Sequence, residues 1–82
     1  MNQDAIYAGL LEIFAVVFPD QDIVLQPETT AADVEGWDSL KQVEIIVMAQ
    51  QKFGVRLTTR EVDAFDSVGD LARTIATHLT KL

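Results

Sequence analysis

No cysteine occurs anywhere in the 82 residues. That absence removes a disulfide framework, a zinc-thiolate site and any side-chain thiol chemistry. Proline and glycine are scarce, at two and four residues, while 49% of the chain is hydrophobic, so it reads as a compact globule and not a disordered tether. Histidine is represented by His78 alone, near the C-terminus. Long apolar runs are missing too: the longest uninterrupted one, Ile13 to Phe18, is far short of a membrane span. The N-terminal stretch contains Asp4 and Glu12 but no basic residue, so it lacks the n-region of a signal peptide. A soluble, cytoplasmic protein without membrane insertion is the resulting expectation, with residues 1–82 forming a single domain, since a chain this short has no room for a second core.

Basic residues are the most unevenly distributed absence. Residues 1–40 hold eight acids (Asp4, Glu12, Asp20, Asp22, Glu28, Asp33, Glu35 and Asp38) and neither Lys nor Arg, within a net charge of -7. Nucleic acid is excluded as a natural partner. An acidic surface attracts basic patches on other proteins and speeds their encounter, and it also keeps a small domain in solution.

What is present is helical. Ile6, Leu10, Ile13, Phe14 and Val17 recur at helix spacing, so an amphipathic helix is predicted over Asp4 to Phe18, capped by Asp4 and ended by Pro19. Residues 19–37 lose the periodicity and form a long loop, in which Ile23, Val24 and Leu25 are expected to pin the chain to the core beside one short helical turn. A second helix is predicted over Ser39 to Lys52, closed by Phe53 and Gly54. Thr58 to Glu61 has capping-box spacing and opens a short helix through about Ala64. The last helix starts at Ser67, with Asp70 at the third position and an apolar stripe of Val68, Leu71, Ala72, Ile75 and Leu79. The fold class is therefore all-α: a small four-helix bundle with three main helices, one short third helix and a long first loop.

The second helix has two apolar faces. Ile45, Ile46, Ala49 and Phe53 gather on one side; Leu40, Val43 and Val47 gather on the other, near Glu44 and Gln51. Its neighbours carry one stripe each and can cover only one of these faces, so the second is a candidate docking surface. It begins one residue after Ser39. That serine has three readings: a helix cap completing a capping box with Gln42, with Asp38 as the alternative cap; a hydrolase nucleophile with His78 as base; or an attachment point for a phosphodiester, which a helix N-terminus favours electrostatically.

The stretch GWDSLKQVEIIVMAQQKFGVRL resembles the signature of acyl carrier proteins: a glycine, then Asp-Ser-Leu opening a hydrophobic helix, a phenylalanine, and a loop into a short helix. The likeness extends to chain length, helix order, the long first loop and acidity. It implies that Ser39 receives 4′-phosphopantetheine from coenzyme A through a phosphopantetheinyl transferase, and that the thiol of the arm holds acyl groups as thioesters. The protein would be no enzyme; it would be a monomer presenting cargo to acyl-loading, acyl-transfer or synthase enzymes. Carried over by position, Asp38, Leu40, Lys41, Val43, Glu44 and Val47 are implied as partner-recognition residues, and Ile46, Ala49, Leu57, Val62 and Phe65 as lining of an acyl pocket that are also plain core positions. Two departures stand out. Trp37 precedes the motif, and Lys41 follows it where the family pattern has an acid, which leaves the helix nearly neutral and implies a specialised member with its own partner enzymes in a lipid or secondary-metabolite pathway. A peptidyl or amino-acyl carrier is the near alternative, and an unmodified helical adaptor using the Leu40/Val43/Val47 face is the more distant one.

Overall fold

The structure, a computed structural model, describes residues 2–80. Helix α1 covers Gln3–Val17, α2 covers Ser39–Phe53, α3 covers Thr59–Ala64 and α4 covers Val68–Thr80; a single 3₁₀ turn, Ala31–Asp33, interrupts the long loop between α1 and α2. The order, the lengths and the short third helix are those expected of the sequence. The core is the meeting of the predicted stripes: Ile6, Leu10, Ile13 and Phe14 from α1, Ile45 and Ala49 from α2, and Val68, Leu71 and Ile75 from α4 are all buried. Fully burying one such side chain contributes about 1.5–3 kcal/mol, so these three stripes dominate the stability of the bundle.

The helix ends differ from expectation in detail. Asn2, and not Asp4, caps α1: its side chain accepts a hydrogen bond from the Ala5 N–H at 2.8 Å, which leaves Asp4 in the first turn facing the positive end of the helix dipole. The helix stops at Val17, with Phe18 as its C-cap ahead of Pro19, and α2 runs one residue longer than predicted, to Phe53. Gly54 closes α2 with φ 66° and ψ 36°, the left-handed conformation that glycine adopts without a Cβ penalty.

The long loop is fastened at both ends. Ile23 and Leu25 pack against the core as expected, but Val24, between them, is 75% exposed, because side chains alternate along an extended chain. Farther along, the carbonyls of Pro27 and Thr29 accept hydrogen bonds from the N–H groups of Gly69 and Val68, both at 2.8 Å. These are first-turn amides of α4 that no helical carbonyl can satisfy, so the loop completes the helix and the helix fixes the loop. At the other end of the bundle, Glu61 of the α3 capping box also meets His78 of α4, at 2.9 Å, and Lys52 of α2 meets Glu12 of α1, at 2.7 Å.

Candidate functional site

Ser39 is the first residue of α2, and three interactions place it there. Gly36, at φ 84°, turns the chain into Trp37. The Trp37 ring then packs edge-on against Phe14, with ring centroids 5.1 Å apart, and also approaches Phe18. Such an aromatic pair contributes about 0.5–1.5 kcal/mol beyond the area it buries, so the indole anchors the end of the loop to α1. Finally, Asp38 caps the helix: its Oδ1 accepts from the Lys41 N–H at 2.9 Å.

This division of labour settles the capping question. Gln42 does not reach back to Ser39; its Oε1 accepts the Trp37 indole N–H at 2.7 Å. The acid took the cap, and the amide took the otherwise unsatisfied indole. Ser39 is exposed, and its hydroxyl makes no hydrogen bond among the described residues. The N–H groups of Ser39 and Leu40, the first two of α2, likewise have no acceptor among the described residues. A phosphate ester on this hydroxyl would therefore sit beside free backbone donors at the positive end of a fifteen-residue helix.

The other serine of the chain, Ser67, is differently employed. Its Oγ accepts from the Asp70 N–H at 3.3 Å, at the start of α4, while the Asp70 carboxylate accepts from the Asp66 N–H. Ser67 is a cap; Ser39 is a free hydroxyl.

Ser39 stands on the rim of a groove of about 550 Å³ between the N-terminus of α2, the α3 segment and the first turns of α4. Trp37, Val43, Val62, Phe65, Val68 and Leu71 supply its apolar walls, and Asp38, Asp63 and Asp66 its charges. No Lys or Arg lines it. The position of α3 is held by Glu61, whose carboxylate accepts the Thr58 N–H at 2.9 Å and meets His78 Nε2 at 2.9 and 3.0 Å. The backbone bond from Thr58, then the bond with His78, lowers the Glu61 pKa below its ordinary value.

The residues singled out in the sequence divide into three groups. Leu40, Val43 and Val47 are 66%, 59% and 44% exposed along one face of α2, with Lys41 and Glu44 paired beside them at 3.6 Å. Val62 and Phe65 join Ser39 and Val43 at the groove. Ile46 and Ala49 do not line it: both are buried in the core, and Leu57 is half-buried in the α2–α3 loop, its N–H donating to Gln50 Oε1 at 2.9 Å. Sequence reasoning missed the contribution of α4, because Val68 and Leu71 fit the core stripe and no local pattern says that their outer edges wall a groove. It also missed the Trp37–Gln42 pair; a buried-type aromatic with an N–H five residues before an amide is the only trace of it.

His78 lies against Glu61, Gly54, Val55 and Arg56, and it is not among the residues of the Ser39 groove. No serine–histidine pairing exists among the described hydrogen bonds, so the hydrolase arrangement is not assembled. Among the described residues no helix is long and apolar enough to cross a membrane.

The chain is similar to known proteins. The family model described as "Phosphopantetheine attachment site" matches residues 8–75. The chain is 40% identical over 78 residues to an acyl carrier protein of Acidothermus cellulolyticus, covering 93% of this chain and 90% of that one. It is 32% identical over 82 residues to the meromycolate extension acyl carrier protein of Mycobacterium leprae, covering 100% of this chain and 68% of the relative. The solution NMR structure of a holo acyl carrier protein from Geobacter metallireducens shares the fold with a TM-score of 0.83 at 35% identity, over 96% of this chain and 86% of that one. The cofactor that goes with this fold is covalent 4′-phosphopantetheine, and the role is that of a carrier and not of an enzyme. With the free serine, the capped helix and the bundle in place, the chain belongs to the phosphopantetheine-binding acyl carrier proteins.

Proposed function

We propose that Ser39 is the residue that receives the 4′-phosphopantetheine arm, and that the protein presents acyl thioesters to partner enzymes of a specialised lipid or secondary-metabolite pathway. The observation that carries the assignment is the exposed, unbonded Ser39 hydroxyl at the first position of α2, next to free N–H donors, while Asp38 does the capping. In the transfer the Ser39 hydroxyl oxygen bonds to phosphorus and gives up its proton, and the nucleotide part of coenzyme A leaves. The bound arm supplies a terminal thiol, which this chain otherwise lacks altogether.

Partners would meet the protein on α2. Leu40, Val43 and Val47 offer an apolar contact face starting beside the attachment point, and such a face is what a transferase or an acyl-handling enzyme can desolvate. The electrostatics of that face are unusual for the family: Lys41 pairs with Glu44, the one acid of α2, so the helix offers little net charge to a basic enzyme surface. That favours dedicated partners over those of general fatty-acid synthesis. Relatives named for meromycolate extension support a lipid pathway. We further infer that the carrier acts as a monomer in the cytoplasm, with residues 1–82 forming a single domain.

The test is incubation of purified protein with coenzyme A and a broad-specificity phosphopantetheinyl transferase, read by intact mass. Wild type should gain one arm and Ser39→Ala none. An unmodified wild type beside a competent control carrier would overturn the attachment, and a modified Ser39→Ala would overturn the site.

A further inference from the structure

Gln42 lies three residues beyond Ser39, the spacing at which a glutamine side chain reaches back to the N–H of a residue that opens a helix. Its Oε1 instead accepts the Trp37 indole N–H at 2.7 Å, and that N–H has no other acceptor among the described residues. Burial decides the choice. Ser39 is exposed, so water satisfies its backbone N–H at little cost. Trp37 is half-buried, with its ring against Phe14 and Phe18, and a bare indole donor there would carry the cost of its desolvation. The backbone leading into Ser39 is held separately: the Trp37 N–H donates to the Val34 carbonyl at 3.3 Å and the Asp38 N–H to the Gly36 carbonyl at 3.0 Å. Loss of the indole N–H alone therefore leaves the turn and the Asp38 cap with their bonds, and sets one group free, the Gln42 carboxamide.

We propose that Trp37 and Gln42 are positioning residues for the attachment reaction: by engaging Gln42, the indole keeps a rival acceptor off Ser39, so that the Ser39 N–H and hydroxyl meet the incoming phosphate unoccupied. The proposal rests on Ser39 as the attachment point. In the transfer, Ser39 Oγ bonds to the phosphorus that carries the pantetheine, the bond from that phosphorus to the nucleotide's bridging oxygen breaks, and the hydroxyl proton passes to a base of the transferase. The negative charge on the phosphate is met by free donors at the start of α2. A carboxamide lodged on the Ser39 N–H takes one of those donors and lies beside the nucleophile. It has to be dislodged before the carrier docks productively. Because the rival bond exists only in the free carrier, it raises the KM of the transferase for the carrier and leaves kcat alone. The net strength of an ordinary hydrogen bond makes that rise about fivefold. Neither Trp37 nor Gln42 touches the reacting atoms; both act through Ser39.

The experiment follows transfer of the arm from coenzyme A by a broad-specificity phosphopantetheinyl transferase at varied carrier concentration, for wild type, Trp37→Phe and the double variant Trp37→Phe/Gln42→Leu. Trp37→Phe retains a ring against Phe14 and loses the N–H, so KM should rise about fivefold at unchanged kcat. Removing the freed carboxamide as well should return KM to within about twofold of wild type. If the indole only anchored the loop, the second substitution would leave the defect as it is or deepen it. Trp37 is the one tryptophan of the chain, so its N–H gives a single indole NMR resonance. Gln42→Leu should shift that resonance and speed its exchange with water. If circular dichroism shows that Trp37→Phe does not fold, 3-benzothienylalanine at position 37 takes its place in both the single and the double variant, since it keeps the bicyclic ring and lacks only the N–H. A wild type that never gains the arm refutes the Ser39 assignment. With the arm gained by wild type, the role of the pair is overturned by an unchanged KM in the variant lacking the N–H, by a fall in kcat in place of the rise in KM, by a double variant no better than the single one, or by an unmoved indole resonance in Gln42→Leu.

Discussion

Replacing Gly69 with alanine should destabilise the protein, although alanine is the better helix former. The backbone of Gly69 is not in the left-handed region, so the added methyl is opposed by space and not by φ. A Cβ at this position would lie 2.7 Å from the Pro27 carbonyl oxygen and 3.2 Å from the Pro27 Cα. Both are backbone atoms, which cannot swing aside as a side chain does. The loop must therefore retreat, and with it the acceptors of the Gly69 and Val68 N–H groups, each now bonded at 2.8 Å beside fully packed core. Alanine over glycine gains at most about 1 kcal/mol of helix propensity. Against this stand about 1–3 kcal/mol for overpacking and about 1–3 kcal/mol for each buried donor left without a partner. Even at the lower ends of these ranges, with both donors lost, the balance is a loss of about 2 kcal/mol, which for a domain this size lowers the midpoint of thermal unfolding by about 8–16 °C. Far-UV circular dichroism melts of the two proteins measure it. A Gly69→Ala protein as stable as wild type would refute the claim that loop and α4 are locked together by close backbone contact.

The division of roles at the start of α2 predicts opposite behaviour for adjacent residues: Asp38→Ala should lose about 1 kcal/mol in denaturant titration, the usual value of an N-cap, whereas Ser39→Ala, whose hydroxyl bonds to nothing described, should stay within about 0.5 kcal/mol of wild type. The Glu61 carboxyl has a folded pKa below its ordinary 4.5, so its stabilising effect is complete above that pH and disappears as pH falls through the lower folded value. Melts between neutral pH and acid should accordingly show the stability gap between wild type and Glu61→Gln narrowing below about pH 4.5. Lys41→Glu restores negative charge to the α2 face and breaks the pair with Glu44; it should raise kcat/KM for a transferase with a basic docking surface by about threefold at low salt, and the gain should vanish as salt screens it.

The parts of this fold that were legible in the sequence are those governed by periodicity. The α1 stripe from Ile6 to Val17 and the inner face of α2 are buried as the 3.6-residue repeat requires, and the outer Leu40, Val43 and Val47 are exposed because only one face of that helix has neighbours to cover it. The α3 capping box was readable for a similar reason, since its partners, Thr58 and Glu61, lie three residues apart. Contacts between distant segments left no such trace. Nothing local announces that Gln42 will accept the Trp37 N–H in preference to the Ser39 backbone, or that Gly69 must be small to admit Pro27. Competition among possible caps is decided by which polar group elsewhere lacks a partner, and this depends on the tertiary fold. The candidate site follows the same rule: Ser39 and its exposed helix face were legible from the motif, but the groove is shared with α4 and became apparent only when Val68 and Leu71 were seen to wall it.

The central claim, that Ser39 is the point of attachment, is tested most directly by fragmenting the modified protein after reaction with coenzyme A and locating the added mass on one side chain. Ser39 and Ser67 both line the groove, so the intact mass of wild type does not by itself separate them. The account predicts the phosphopantetheine mass on Ser39, the free hydroxyl, with Ser67 unmodified at its place in the α4 cap. The mass on Ser67, or on any other residue, would contradict it.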